Sequence, residues 1–341
     1  MQFGNHVLKL VLWVLLFVLT GCKKDEPIAT YQLDIPSWFP EMEIPEDNQP
    51  TQARIALGRK LFYDYGLSAD SSISCGSCHD QRMAFAHFES VTPGVDGALG
   101  FRNAPTLANV GYAPSFFMDG GVQTLELQSQ APIFSEVEMH STISNFLQRI
   151  DGDAEYKQLF LEAYGREPDA FGISRAIACF ERTMISGNSR FDQYEYAGDI
   201  TALSESELRG RHLFFSQETN CSSCHEPPLF TNYEFENVGL YLNYADSGRA
   251  RITHLEADKG KFKIPTLRNI DLTAPYMHDG SIQTLEEVVE HFNSGGVGHP
   301  NQTNEVKPLD LSTQEKADIV AFLKTLTDSD FISNYDLSNP N

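Results

Sequence analysis

Two five-residue stretches hold the residues able to do chemistry. Cys75-Gly76-Ser77-Cys78-His79 and Cys221-Ser222-Ser223-Cys224-His225 each set two thiols with two residues between them and an imidazole directly after the second. Thiols at that spacing can bond to the two vinyl groups of one haem, and the next residue is placed to put a ring nitrogen on the iron. Two such stretches lead us to expect two covalently attached c-type haems, with His79 on one iron and His225 on the other. A zinc half-site or a disulfide loop would use the same residues, but no second Cys/His pair lies at zinc-finger spacing.

The elements that must position these loops come in two matching sets. Residues 52–63 carry Ile55, Leu57, Leu61 and Phe62 between Arg54, Arg59 and Lys60, the pattern of an amphipathic helix. Residues 204–215 match them, with Ser204 and Glu207 as a capping box at the start. Leu57-Gly58-Arg59-Lys60-Leu61-Phe62 aligns with Arg209-Gly210-Arg211-His212-Leu213-Phe214, and a haem motif follows each. The repeat continues downstream: Pro105 and Pro265, Met118-Asp119-Gly120 and His278-Asp279-Gly280, and Thr124-Leu125-Glu126 and Thr284-Leu285-Glu286 all keep a separation of 160. Cys75 and Cys221 are 146 apart, so the second copy has about 14 extra residues, near 239–261. Ser312 and Glu315 cap a last helix, with Ile319, Val320, Phe322, Leu323 and Leu326 as its buried stripe. The expected fold is mainly α, two cytochrome c-like haem domains made by internal duplication.

The first residues read as a targeting segment. An apolar run at residues 10–19 is too short to span a bilayer comfortably, and Leu19-Thr20-Gly21-Cys22 resembles a bacterial lipoprotein cleavage box. The chain is thus expected to divide into a signal peptide (1–21), a tether (22–50) beginning at a lipidated Cys22, a first haem domain (51–200) and a second (201–330), held in the periplasm or cell envelope. Of six cysteines, one is for lipid and four for haem; Cys179, in an apolar helical run, is expected to be a buried small hydrophobe. The formal charge of −22 argues against a nucleic-acid partner. It suits a cationic partner protein drawn in by electrostatic steering, and equally a surface kept acidic for solubility.

With these motifs go Arg102-Asn103-Ala104-Pro105-Thr106-Leu107, Phe116-Phe117-Met118-Asp119-Gly120, Glu138-Met139, Arg190-Phe191-Asp192-Gln193-Tyr194 and Leu267-Arg268-Asn269, followed by Pro275-Tyr276-Met277-His278-Asp279-Gly280. In order and spacing this set resembles the bacterial di-haem cytochrome c peroxidases and their MauG-type relatives, over residues 50–328. The resemblance implies that peroxide reacts at the first haem and that the second passes it electrons from an external donor. It places Gln128, Pro132 and Glu138 in the peroxide pocket, with Glu138 as the acid–base group and Gln128 orienting the peroxide. It also implies a calcium ion between the domains, held by the Asn103 side chain and the carbonyls of Thr273 and Pro275, and often a homodimer.

Three positions depart from the family pattern. Val95 stands where many members have a histidine capping the first haem, which leaves that iron open at rest, with His87 as a nearby substitute. Phe292 stands at the usual place of the second iron's sixth ligand; Met277, His291 and His299 are the substitutes in reach, and His278 matches a histidine that is not a ligand. Met118 stands where a tryptophan commonly lies between the haems. The expected function is reduction of H2O2 to water with electrons from a small cytochrome c or cupredoxin. The alternatives are a MauG-like oxidase of a protein or organic substrate and a non-enzymatic di-haem electron carrier.

Overall fold

The computed structural model describes residues 30–340. Helix α1, Gln52–Phe62, begins where the Thr51 hydroxyl accepts the Arg54 N–H, and it buries Leu57, Leu61 and Phe62 completely. Each such side chain contributes roughly 1.5–3 kcal/mol when removed from water. There follow α2 (Leu125–Gln128), α3 (Ile143–Arg149), α4 (Ala154–Tyr164) and α5 (Ala170–Glu181). Helix α5 closes back on α1 at Gly58, where a Cβ would lie 1.9 Å from the Ala176 carbonyl oxygen. Only glycine permits that approach. Cys179 on α5 is fully buried, as its apolar setting leads one to expect, with its thiol 3.3 Å from the Asn48 side-chain oxygen.

The second half repeats the plan. Helix α6 (Arg190–Glu195) precedes α7 (Glu205–Phe214), which starts with the expected Ser204/Glu207 capping box. Next come α8 (Leu285–Ser294), α9 (Thr313–Lys324, capped by Ser312 and Glu315) and α10 (Ser329–Ser333). Helix α9 crosses α7 at Gly210, where a Cβ would lie 1.8 Å from the Asp318 carbonyl oxygen, the counterpart of Gly58 on Ala176. The duplication extends to single bonds. Asn109 and Asn269 both take left-handed backbone, and their N–H groups donate to Met184 O (2.7 Å) and Leu326 O (3.0 Å). Among the described residues the only sheet is a ribbon of β1 (Phe235–Glu236) and β2 (Phe262–Lys263), antiparallel, with Phe235 opposite Lys263.

The halves meet along a polar seam. The extra residues of the second copy lie between β1 and β2 and pack on the first half. Arg102 bridges Asp119 at 2.7 Å and Asp246 at 2.6 Å, and Arg249 donates to the Asp119 carbonyl at 2.8 Å. The expected tether needs correction from Tyr31 onward: Leu33, Phe39, Met42 and Asn48 are buried, Trp38 stacks on Tyr196, and the Arg268 guanidinium lies over Phe39. Its prolines and acids mask apolar residues spaced too irregularly to announce a packed segment. The signal peptide and Cys22 lie outside the described residues. Among the described residues no helix is long and apolar enough to cross a membrane.

Candidate haem-binding and catalytic site

Both haem-motif histidines are prepared as ligands in the same way. The His79 Nδ1–H donates to the Phe85 carbonyl at 2.8 Å, and the His225 Nδ1–H donates to the Phe230 carbonyl at 3.1 Å. Each bond places the ring proton on Nδ1, the tautomer that offers Nε2 to an iron, and the backbone of Pro105 also bonds the His79 ring as that of Pro265 bonds the His225 ring. Burial lowers the pKa of both rings, His225 to about 4, so both are neutral, the ligating form, at neutral pH. The carbonyls are aimed by unusual backbone: Phe85 has φ 61° and Phe230 has φ 55°. That left-handed region costs a residue with a Cβ about 1–3 kcal/mol and persists only where packing fixes it. Cys75, Cys78, Cys221 and Cys224 are all free of disulfides. Four unpaired thiols and two imidazoles in the ligating tautomer fit two covalently held haems.

The first half adds a carboxyl over its haem loop. Helix α2 stops at Gln128 because Pro132 has no N–H to offer the Gln128 carbonyl four residues back. A separate short helix, Ala131–Phe134, follows with Pro132 in its first turn, and the chain then turns through residues 135–141. Met139 N–H donates to Pro132 O at 3.1 Å, Ser141 N–H to Ile133 O at 2.8 Å, and buried Met139 accepts the Ala69 N–H at 2.9 Å. These bonds present Glu138 between two landmarks. Its backbone carbonyl accepts the Val95 N–H at 2.9 Å, and its carboxylate is within electrostatic reach of the Cys75 and Cys78 thiols. Glu138 is accessible to solvent yet crowded by protein. That crowding raises its carboxyl above the ordinary carboxylate range, with a Ser135 hydrogen bond opposing. Gln128 and Pro132, both half-buried, belong to the same turn.

Val95 is buried, and Gly94 beside it passes so close to the 137–138 backbone that a Cβ would lie 2.2 Å from the Val137 oxygen. His87 is buried too, in the loop that carries Phe85 behind His79. Its Nδ1 is buried without a hydrogen-bond partner.

In the second half, His291 Nε2 is engaged by the Val238 carbonyl at 3.0 Å. His299 Nδ1 is 3.0 Å from the donating Asn301 N–H and 3.2 Å from Asn237 Nδ2, which places its proton on Nε2 and removes the bare nitrogen an iron needs. His278 stacks on Phe262, with centroids 3.9 Å apart, in keeping with a supporting role. Met118 lies on the seam, its carbonyl accepting the Lys263 N–H at 2.7 Å. Asn103 lies there as well. Its N–H donates to His278 O at 2.8 Å and its Nδ2 to Glu89 O at 3.2 Å, so Oδ1 is the atom left for a cation. Thr273 and Pro275 are buried on the facing loop. Among the described residues no group of three or more His, Cys, Asp or Glu gathers to hold a metal ion, so a cation there depends on amide and carbonyl oxygens.

Several residues escaped the sequence reading. The Phe85 and Phe230 carbonyls were visible only as phenylalanines six and five residues after the motif histidines. Glu181 on α5 is a second carboxyl within electrostatic reach of Cys75, and burial pushes it up to about 8. Nothing in its helical pattern distinguishes it from a surface acid.

The family described as di-haem cytochrome c peroxidase matches residues 52–201, and the cytochrome c family matches residues 208–327. The methylamine utilization protein MauG of Methylorubrum extorquens is 34% identical over 292 residues, 83% of this chain and 80% of that one. Cytochrome-c peroxidase IdrP1 of Denitromonas iodatirespirans is 33% identical, covering 85% of each chain. A crystal structure of a MauG-like protein associated with microbial copper homeostasis superposes with a TM-score of 0.86 at 34% identity, over 91% of this chain and 99% of that one.

Proposed function

Because this chain belongs to the di-haem cytochrome c peroxidase family, which takes in MauG, we propose that it reduces hydrogen peroxide to two waters. It does so with two electrons from a small external redox protein, a cytochrome c or a cupredoxin. The observation that carries the reading is Glu138, set by the Val95 and Met139 backbone bonds beside the first haem loop. Haem, when bound, supplies the iron that takes up peroxide and relays the electrons. Glu138 accepts the proton of incoming peroxide at its carboxylate and returns it to the departing oxygen, a transfer typically worth 10²–10⁴-fold. Its raised pKa makes it a readier proton carrier near neutrality than an ordinary glutamate. Gln128 orients the peroxide, and Pro132 ends α2 so that the chain can return with Glu138. Val95 in place of a capping histidine keeps the site open at rest.

The same reading puts electron intake at His225, a calcium ion at Asn103, Thr273 and Pro275, and the protein in the periplasm or cell envelope as a homodimer with Cys22 as lipid anchor. A MauG-like oxidase is the second reading, favoured by the 34% identity to MauG. Met118 and Phe292 weigh against it, since they replace the tryptophan and the sixth ligand that the resemblance puts there. The test is to mix the haem-loaded protein with H2O2 and a reduced cytochrome c or cupredoxin. Two donors oxidised per peroxide is the expected result. Peroxide consumption without donor oxidation would move the assignment to the oxidase, and no reaction with peroxide would leave an electron carrier.

A further inference from the structure

Each half ends in a short helix that leaves home. Asn109 Oδ1 accepts the Ser186 N–H at 2.9 Å, just after α5, and Asn269 Oδ1 accepts the Asp328 N–H at 2.8 Å, just after α9. These are equivalent bonds at equivalent points of the repeat. The chain then enters α6 after the first point and α10 after the second, and each helix crosses to the opposite half. Phe191 of α6 belongs to the second core and packs edge-on against Phe230, with centroids 5.0 Å apart. Phe331 of α10 belongs to the first core and packs against Phe85, 5.5 Å apart. All four rings are buried, none more than 3% exposed. A second pair of contacts repeats the exchange: Arg211 of α7 lies over Tyr194, and Arg59 of α1 lies over Tyr335.

Phe85 and Phe230 supply carbonyls that, with the backbone of Pro105 and Pro265, hold His79 and His225. We propose that α6 and α10 are exchanged plugs, and that Phe191 and Phe331 are positioning residues through which each half sets the haem-binding histidine of the other. A plug fixes the left-handed phenylalanine. That residue fixes the carbonyl, and the carbonyl sets how strongly the Nδ1–H bond makes the imidazole an electron donor. The plugs differ in how firmly they are held. Helix α6 is tied down by the buried Asp192–Arg268 pair at 2.7 Å and 2.9 Å. In the first half Ala108 stands 160 residues before Arg268, so α10 has no such tie. It is held instead by carbonyls at the chain end: Tyr63 OH donates to Leu337 O at 2.7 Å, Arg59 Nε to Ser338 O at 2.7 Å, and Gln81 Nε2 to Asn334 O at 2.8 Å. Tyr63 also covers Gly76 inside the first haem motif.

The inference needs two bound haems but not peroxide as substrate, so it survives or fails separately from the proposed activity. The experiment is spectroelectrochemical titration of both haems in the loaded protein for wild type, Phe331→Leu and Phe191→Leu, with resonance Raman of the iron–histidine stretch in the reduced state. Leucine keeps the sites filled, so both variants fold; Phe331→Met is a second filling for the first site. Phe331→Leu is expected to raise the potential and lower the iron–histidine stretch of the His79 haem alone. Phe191→Leu is expected to do the same to the His225 haem alone. Unmoved haems in both variants, equal movement of both haems, or movement of the haem in the half that contributes the plug would each overturn the proposal.

Discussion

By the 160 spacing, Pro132 of the first half matches Phe292 of the second and Glu138 matches Gly298. In the second half α8 runs unbroken from Leu285 to Ser294. In the first, Pro132 withholds one N–H, the helix stops at Gln128, a separate short helix takes over at Ala131–Phe134, and the chain after it brings Glu138 back to the haem loop. One residue type thus separates a half with a carboxyl beside its haem loop from a half without one. The halves differ in a second way. The α7/α9 crossing is pinned by an ion pair, Arg209 with the Asp318 carboxylate that Ser206 also reaches, whereas Leu57 and Ala176 stand at the places of Arg209 and Asp318 in the α1/α5 crossing. What stayed the same, glycine crossings and histidine–carbonyl bonds, is what holding a haem requires. What diverged is what one half does with it.

The largest effect should come from Asp192→Ala, which strands the fully buried Arg268 and is expected to cost about 3–5 kcal/mol. Limited proteolysis should show the loss first in the second half; an equal loss in both halves would break the comparison. Gly58→Ala and Gly210→Ala each drive a methyl into a backbone carbonyl and should cost about 1–3 kcal/mol by thermal unfolding. Similar values for the two would sharpen the equivalence of the crossings. Val95→His restores an imidazole at the capping place. It should turn the first haem six-coordinate at rest and slow its reaction with peroxide about tenfold, close to 1.4 kcal/mol, leaving the second haem's spectrum unchanged.

Asp318→Asn is the smallest, on the order of 1 kcal/mol, because Arg209 is half-exposed and water screens the pair. The arginine hydrogen bond, with Ser206 and Gln314, depresses the Asp318 pKa from its ordinary 3.8 to about 2. Its stabilisation is therefore complete above pH 3.8 and lost as pH falls through about 2. Acid titration watched at each half should show that extra step only in the second, and only with Asp318 present.

Much of this was legible because covalent haem attachment forces fixed residue types at fixed spacing. The motifs, the capped helices α7 and α9 and the 160-residue repeat all follow from local patterns. Residues 31–50 did not, because Phe39 and Asn48 are buried by contacts distant in sequence, Phe39 under Arg268 and Asn48 with Glu126 at 2.7 Å. The plugs escaped for the same reason. Phe191 sits within a motif that resembles the family, yet its partner Phe230 lies 39 residues on, and Phe331 reaches back to Phe85 across 246 residues. Pattern reading identifies a helix and its buried face; it does not say which half that face will enter.

The claim that the first half alone is armed for peroxide rests on Glu138. The most direct measurement is rapid mixing of the haem-loaded protein with H2O2, following the first haem's absorbance across pH for wild type and Glu138→Gln. Wild type should slow on acidification as the carboxylate is protonated, with a midpoint above the ordinary carboxylate range. The variant, with both haems retained, should react about 100-fold or more slowly and lose that pH limb. A variant that matched the wild-type rate and kept the limb would contradict the account.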